Sequence, residues 1–162
     1  MKALEDRPYD LSKAGDAEPT VAVARDLASS PVFEGLRSHE VDAILGAFHE
    51  QSFNAGHRVT LEGFRGSEFY LIASGTAAVD AGGRAVARLA AGDFFGEMAL
   101  LGDGMRSATV VAETPMRCLV LPNNTLEQLL VAHPRLGLNL LREVVARLKD
   151  TTERPDVRVL DS

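Results

Sequence analysis

Apolar residues follow a helical period at both ends of the chain and a shorter period between them. Over 19–29 and 39–49 they recur every three or four positions, which predicts two helices. Ser38 stands where an N-cap for the second helix is expected. These helices define an N-terminal helical segment, 19–50, and the polar residues 1–18 before it predict a flexible arm.

The middle of the chain, 51–121, consists of short apolar segments separated by glycines, which predicts β-strands. Turn signals recur about every eight to twelve residues, a spacing typical of an all-β sandwich, barrel or roll. Gly82 and Gly83 stand between two alternating segments and predict a tight hairpin. The predicted strands are 58–61, 68–73, 76–80, 84–89, 94–95, 107–112 and 116–121.

A helical period returns over 122–152. Asn123 or Asn124 can cap a first helix, and Pro134 can begin a second, longer one. The last residues, 153–162, predict a tail that follows the end of this helix.

The second C-terminal helix carries a heptad-like set of apolar residues. Gly137, Leu141, Val144 and Leu148 are spaced by four, three and four positions, with Leu138 and Val145 beside them. Such a seam either packs on the chain's own β structure or pairs with the same helix of a second copy in a homodimer. Two heptads are too few to decide between these alternatives.

Composition is that of a soluble globular protein, because apolar residues make up 46% of the chain and its net charge is −6. No apolar run approaches the roughly 18 residues that cross a bilayer, and the N-terminus lacks the apolar core of a signal peptide. We therefore expect a cytoplasmic protein that does not associate with a membrane. The single cysteine, Cys118, excludes an internal disulfide and lies in an apolar run typical of a core.

The basic residues near the C-terminus alternate with acidic ones and are interpreted as a solvated helix face. This group contains Arg142, Arg147, Lys149 and Arg154. Because it is not a basic stripe, we expect no direct nucleic-acid binding.

The four histidines, His39, His49, His57 and His133, form no H-x-H pair, and no nucleophile lies beside a base. We therefore expect no metal site, no cofactor and no catalysis.

The candidate chemistry lies at 92–110, where a short helical turn joins two predicted strands. Gly96 allows a ligand to approach the backbone closely. The amides of Met98 and Ala99 stand at the start of the turn and have no intrahelical partners. Such a turn favours an anion through its free N–H groups and its dipole.

Two charged residues flank this turn. Arg106 offers a planar fork of donors suited to phosphate oxygens, and Ser107 adds a hydroxyl and an amide. Glu97 accepts hydrogen bonds when ionised and suits the hydroxyl of a sugar. Together these residues predict a pocket for a ribose and its phosphate. The alternative is a structural salt bridge between Glu97 and Arg106.

The segments FGEMAL at 95–100 and RSATV at 106–110 resemble the phosphate-binding cassette of cyclic-nucleotide-binding domains. These domains occur in the catabolite activator protein family, the regulatory subunit of cyclic-AMP-dependent protein kinase and cyclic-nucleotide-gated channels. Residues 62–75 and 30–36 resemble two further landmarks of the family, and the match covers about 29–150.

The resemblance implies a mainly β fold with flanking helices. Its centre would be a β-roll, a jelly-roll-like double-stranded β-helix, over 51–121, with the cassette at 95–109, N-terminal helices and two C-terminal helices. It also implies a regulatory domain in signal transduction. This domain would bind a cyclic purine nucleotide, cAMP or else cGMP, as a ligand rather than a cofactor, and would catalyse nothing.

The resemblance assigns roles to single residues. The phosphate and ribose set is Gly96, Glu97, Met98, Ala99, Arg106, Ser107 and Ala108, and the base set is Val79, Val86, Thr151 and Thr152. Within these sets, Glu97 would hold the ribose 2′-hydroxyl and Arg106 the cyclic phosphate. Thr151 would accept a hydrogen bond from the adenine amino group, but a hydroxyl can also donate to guanine O6. The preference for cAMP therefore rests on the resemblance.

About a dozen residues follow Asp150, too few for the helix-turn-helix domain of the transcription-factor branch. The chain is thus either a stand-alone sensor or a piece of a longer protein. Its signal would pass through movement of the C-terminal helices, a homodimer or an effector protein that the sequence does not identify. A rival hypothesis is a degenerate member that keeps the fold and serves as an interaction module without nucleotide.

Overall fold

A computed structural model describes residues 27–97 and 102–153 of the chain, with side chains described to residue 150. A 3-10 turn at Pro31–Phe33 precedes helix α1, Ser38–Gly46. The strands are β1 (His49–Phe53), β2 (Arg58–Thr60), β3 (Glu68–Ser74), β4 (Ala77–Ala81), β5 (Arg84–Leu89), β6 (Phe94–Phe95), β7 (Thr109–Ala112) and β8 (Met116–Pro122). Helices α2, Asn123–Ala132, and α3, Pro134–Glu153, follow.

The described strands form two four-stranded antiparallel sheets, in the orders β1-β8-β3-β6 and β2-β7-β4-β5. Strand β3 lies inside the first sheet and is buried on both faces. Its Phe69 and Leu71 pack with the helices, whereas Tyr70 and Ile72 pack between the two sheets. Because successive side chains of a strand point to opposite faces, one continuous apolar run supplies both cores. The prediction of a jelly-roll-like β-roll with flanking helices is confirmed.

The turn chemistry agrees with the sequence. The β4–β5 hairpin closes at Gly82 and Gly83, whose φ angles are 61° and 78°. Two successive positive φ angles are what a two-residue hairpin of matching twist requires, and glycine adopts them without a steric cost.

Strand β1 was not predicted, and the prediction that α1 extends to His49 is wrong. The helix ends at Gly46, and Phe48 turns into the core, 6.3 Å from the ring of Phe69. The chain then pairs with β8, with Glu50 opposite Leu119. Since β1 contains mostly polar residues, its sequence lacks the alternation that marks a strand, and only the pairing with β8 makes it one.

The predicted helix caps are also corrected. Arg37, not Ser38, is the N-cap of α1, and its N–H donates to the Glu40 carboxylate at 3.3 Å. Pro122 is the N-cap of α2, so neither Asn123 nor Asn124 takes that place.

Some expectations fall on residues outside the described part. These are the arm at 1–18, nearly all of the helix expected over 19–29, and the tail beyond Glu153. Among residues 27–97 and 102–153, no helix combines the length and the apolar character that a membrane span requires.

Candidate functional site

A cavity of about 410 Å³ opens between the β2-β7-β4-β5 sheet, the connection from β6 to β7, and α3. Its size falls within the range of about 300–1,000 Å³ typical of small-molecule sites. Its walls include Val79, Val86, Leu89, Phe95, Gly96, Glu97, Arg106, Ser107, Ala108, Val110, Glu143, Arg147 and Asp150. The cavity therefore brings together residues from the middle strands, the predicted cassette and the last helix.

Arg106 is the most deeply buried charge of this cavity wall, with its side chain only 5% exposed. Its Nη1 donates to the carbonyl of Gly96 at 3.3 Å and its Nη2 to the carbonyl of Glu68 at 3.0 Å. The Glu68 carboxylate is 3.9 Å away. A buried cation is costly unless it is paired and hydrogen-bonded. Two carbonyls and one distant carboxylate fix the guanidinium in place, beside a cavity that an anion could enter.

Gly96 is required by the position of Arg106. Its φ is +94°, a conformation that side-chain-bearing residues rarely adopt. A Cβ atom here would lie 2.6 Å from the carbonyl oxygen of Glu68 and 2.9 Å from Nη1 of Arg106. Gly66 contacts the same side chain, because a Cβ there would overlap with the Arg106 guanidinium. Both glycines therefore make room for one buried arginine.

Glu97 meets a residue that the sequence placed on a solvated face. Arg147 Nη1 lies 3.4 Å from Oε1 of Glu97, and the guanidinium carbon lies 4.2 Å from the ring centroid of Phe94. The interpretation of Arg147 as a solvated residue is wrong. The error arises because Leu136 and Leu140 are buried on one face of α3. Glu143 and Arg147 continue that face along the helix, so they point toward the cavity.

The cavity contains charges of both signs at different depths. Arg106 is buried, whereas Glu143 and Arg147 are half-buried and Asp150 is exposed at the rim. An anionic group is therefore favoured at the inner end, and groups that carry hydroxyls or N–H donors are favoured nearer α3.

The structure places most of the predicted site residues around this cavity. Val79, Val86, Gly96, Glu97, Arg106, Ser107 and Ala108 all line it. Met98 and Ala99 lie outside the described residues. Thr151 and Thr152 belong to the last turn of α3, and their side chains are not described.

Two features of the cavity escaped prediction from the sequence. Glu68 accepts from Arg106 through its backbone carbonyl, an interaction that no residue pattern shows. Glu143, Arg147 and Asp150 recur at intervals of four and three on α3, so they share one helix face. This periodicity was visible in the sequence, but the face that α3 turns toward the strands was not.

Cys118 is outside this chemistry. It is fully buried between the two sheets, and this burial raises the pKa of its thiol well above the usual range. The thiol therefore stays protonated and packs as a core residue. Among residues 27–97 and 102–153, no group of three or more His, Cys, Asp or Glu side chains could hold a metal ion.

Comparison with known proteins gives a consistent result. The model of the family described as "Cyclic nucleotide-binding domain" matches residues 50–133. A "cAMP-dependent protein kinase regulatory subunit" of Neurospora crassa is 37% identical over 106 residues, 64% of this chain and 28% of that protein. A "cGMP-dependent protein kinase" of Eimeria tenella is 38% identical over 104 residues, 64% of this chain and 10% of that protein.

A solved structure also matches. The crystal structure of the Thermus thermophilus catabolite activator protein superposes with a TM-score of 0.70 at 34% identity, over 76% of this chain and 60% of that one. The chain spans less than two thirds of the length of each of these three proteins.

Proposed function

The chain belongs to the cyclic nucleotide-binding domain family, and from this premise we propose that it is a regulatory domain whose cavity binds cAMP. The observation that carries the proposal is the buried guanidinium of Arg106, which lies in one cavity with the Glu97 carboxylate and an apolar wall. A cation, an acceptor and an apolar surface are the groups that a phosphate, a ribose hydroxyl and a purine require.

The phosphate would lie at the inner end of the cavity. Arg106 would donate to its oxygens, with the Ser107 hydroxyl beside it and the amide of Ala99 completing the set by resemblance to the family. Hydrogen bonds to charged groups contribute about 1.5–3 kcal/mol each. The ribose would lie against Gly96, where the absent side chain leaves space, and its 2′-hydroxyl would donate to Glu97.

The base would extend toward α3 along the apolar wall formed by Val79 and Val86. Thr151 and Thr152 stand at the end of α3, where a hydroxyl would accept from the adenine amino group. Named relatives include both a cAMP-dependent and a cGMP-dependent protein. The preference for adenine over guanine is therefore tested separately, by comparing the affinities for cAMP and cGMP.

The domain would act by binding rather than by catalysis. Ligand contacts reach both the strands and α3, so occupancy of the cavity would stabilise one placement of α3 over others. A ligand shifts such an equilibrium only by its differential affinity for the two arrangements. The signal would then reach an effector protein, or a second copy of the chain, through α3.

Of the two recipients of this signal, an effector protein and a second copy of the chain, the second copy is the more specific proposal. Leu138, Leu141, Val145 and Leu148 of α3 are 40 to 66% exposed, and their spacing of three, four and three positions is that of a heptad seam. The seam expected from the sequence is partly wrong, because Val144 packs on the core and a Cβ atom at Gly137 would lie 3.6 Å from the side chain of Leu130. α3 therefore has two apolar faces, one for its own domain and one exposed.

Charge decides the direction in which two such helices would pair. With Leu138 at a and Leu141 at d, the e positions are Arg142 and Lys149. In an antiparallel pair these like charges would face each other, whereas in a parallel pair they would face uncharged g positions. We therefore propose a parallel homodimer through α3.

One observation favours the rival hypothesis of an interaction module without nucleotide. Arg106 is already hydrogen-bonded to two carbonyls and Glu97 already pairs with Arg147, so both charges have partners within the chain. A binding measurement separates the two hypotheses directly.

The test is a thermal-shift series with cAMP, cGMP and 5′-AMP on the wild type, Arg106→Ala and Arg106→Lys. Ligand at 100 times its Kd adds about 2.7 kcal/mol, a rise in Tm of roughly 5–10 °C for a domain of this size. We expect this rise with cAMP in the wild type and none in Arg106→Ala, with the lysine variant as a charge-conserving check if the alanine variant is unstable. Arg117→Ala is the matched control, because Arg117 is a β8 residue paired with Glu50 outside the cavity. If no cyclic nucleotide raised the Tm of the wild type, the proposed function would fail and the hypothesis of an interaction module would remain.

A further inference from the structure

A short segment before α1, Ser30–Glu34, joins two parts of the molecule that are distant in sequence. At one end the Ser30 hydroxyl donates to the carbonyl of Gly92 at 2.9 Å. At the other end the side-chain amide of Asn139, on α3, donates to the carbonyls of Val32 and Glu34, both at 2.8 Å. We call the segment 30–34 the bracket.

Three side chains hold the bracket, since Arg135 of α3 also donates to the carbonyl of Glu34, at 3.4 Å. Arg135 is exposed, whereas the other two are buried polar groups. Asn139 is 3% exposed and Ser30 is 7% exposed. The amide of Asn139 has two N–H donors, and each meets one carbonyl. A buried amide costs free energy unless it is hydrogen-bonded, so α3 is most stable where both bonds are formed.

The first end of the bracket leads to the candidate site. Gly92 lies two residues before Phe94, and its turn is bonded to β3 through the backbone of Ile72, which accepts from Gly92 and donates to Asp93. Phe94 in turn contacts the guanidinium of Arg147. The Ser30 contact therefore lies close to the strand that leads into Gly96 and Glu97.

The second end leads back to the same place along α3. Arg147 follows Asn139 by two turns of helix, at a rise of about 1.5 Å per residue. The contacts therefore form a closed loop. Phe94 and Glu97 contact Arg147, and α3 connects Arg147 to Asn139. Asn139 holds the bracket, and the bracket is bonded to Gly92, two residues before Phe94.

We propose that Asn139 and Ser30 are positioning residues, which act through the bracket to hold Arg147 against Glu97. The packing of Leu136 and Leu140 does not fix the helix by itself, since apolar contacts are non-directional. Hydrogen bonds to two carbonyls are directional, so they fix both the rotation and the axial position of α3. A shift by one turn would move Arg147 by about 5.4 Å and separate it from Glu97.

The effect on ligand binding rests on the proposed function, whereas the effect on α3 does not. The key variant is Asn139→Asp, which keeps the size of the side chain but turns acceptor oxygens toward two carbonyls. Gln128→Glu is its matched control, because Gln128 is exposed on α2 and undergoes the same chemical change.

Two measurements decide the proposal. Hydrogen exchange without nucleotide reports on α3 residues 143–150, and titration with cAMP reports on the site. We expect Asn139→Asp to speed amide hydrogen exchange of residues 143–150 at least about fivefold and to weaken cAMP binding by no more than the loss of Arg147 does, about three- to tenfold. In an Arg147→Ala background the same change should weaken binding less than about twofold, because the residue through which Asn139 acts is gone.

Ser30→Ala tests the other end and protects against a variant that fails to fold. It removes the bond to Gly92 and the bond that the Ser30 hydroxyl accepts from the Val32 amide, but neither carbonyl that Asn139 contacts, and we expect the same changes at smaller size. If amide hydrogen exchange of residues 143–150 were unchanged in both variants, the proposal that the bracket positions α3 would be wrong. Equal losses of affinity with and without Arg147 would show that Asn139 does not act through Arg147. If the wild type bound no cyclic nucleotide, the proposed function would fail, and the exchange data would still test the bracket.

Discussion

Arg147 and Glu97 are separated by 50 positions in the chain, yet Nη1 of Arg147 lies 3.4 Å from Oε1 of Glu97. This contact joins the last helix to the segment that carries the candidate phosphate and ribose groups. Here the cavity and α3 meet through charge as well as shape, because the same guanidinium covers the ring of Phe94.

Arg147→Ala should weaken cAMP binding about three- to tenfold and lower Tm only slightly, because the ion pair is partly exposed and such pairs contribute little to stability. The loss of affinity follows from a Glu97 that is no longer held in place. Isothermal titration measures it, with Arg142→Ala as the control, since Arg142 is exposed on the same helix away from the cavity. Equal affinities for the two variants would remove Arg147 from the site.

Gly96→Ala should destabilise the domain and abolish nucleotide binding. The change combines an unfavourable φ, which costs about 1–2 kcal/mol, with a close approach to Arg106 and to the Glu68 carbonyl. Gly56→Ala is the matched control, because its φ is +89° but a Cβ there meets nothing within 4 Å. Urea unfolding should show a larger loss in the free energy of unfolding for Gly96→Ala than for Gly56→Ala. In a cAMP titration, Gly56→Ala should bind and Gly96→Ala should not. Retained binding in Gly96→Ala would contradict the assignment of the sugar position.

Thr151→Ala should weaken cAMP binding more than cGMP binding. The reason is that a hydroxyl at the end of α3 would accept from the adenine amino group, which guanine lacks at that position. The ratio of the two dissociation constants is measured on one protein sample, so a general loss of stability cancels. An unchanged ratio would exclude Thr151 from the base site.

Val145→Glu should convert a dimer into a monomer. The change places a charge in the centre of the exposed seam of α3, where two copies would bury it. Val131→Glu is the matched control, because Val131 is 78% exposed on α2 and outside the seam. Sedimentation equilibrium gives the mass of each variant. A monomeric wild type, or a dimer that survives Val145→Glu, would refute the proposed interface.

Acid should weaken the contact between α1 and the α2–α3 junction. His133 Nδ1 lies 3.2 Å from Glu40 Oε2, and the hydrogen bonds from His133 and from the Arg37 amide hold the pKa of Glu40 below its ordinary value of 4.5. Because the folded pKa is the lower one, this contribution is present above pH 4.5 and is lost as the pH falls through the folded value. Glu40→Gln should therefore flatten the fall in Tm below pH 4.5, and parallel curves for the two proteins would contradict this.

Much of the β-roll could be predicted because its signals are local. The glycines at 82 and 83 mark a hairpin by their backbone freedom, and β5 and β6 were predicted with the bounds that the structure shows. The candidate site could be predicted for the same reason. Gly96, Glu97 and Arg106 lie within one short segment, so their residue types and spacing already describe a pocket for a charged ligand.

The chain by itself therefore determined the fold class, most strands and the segment that carries the candidate chemistry. Only the tertiary structure decided that 49–53 is a strand, that Arg147 faces the cavity, and that Leu138 rather than Val144 belongs to the exposed seam. The physical reason is the same in each case. A polar strand exists through its partner, and the face that a helix with two apolar stripes turns inward is set by the surface on which it packs, neither of which a local period records.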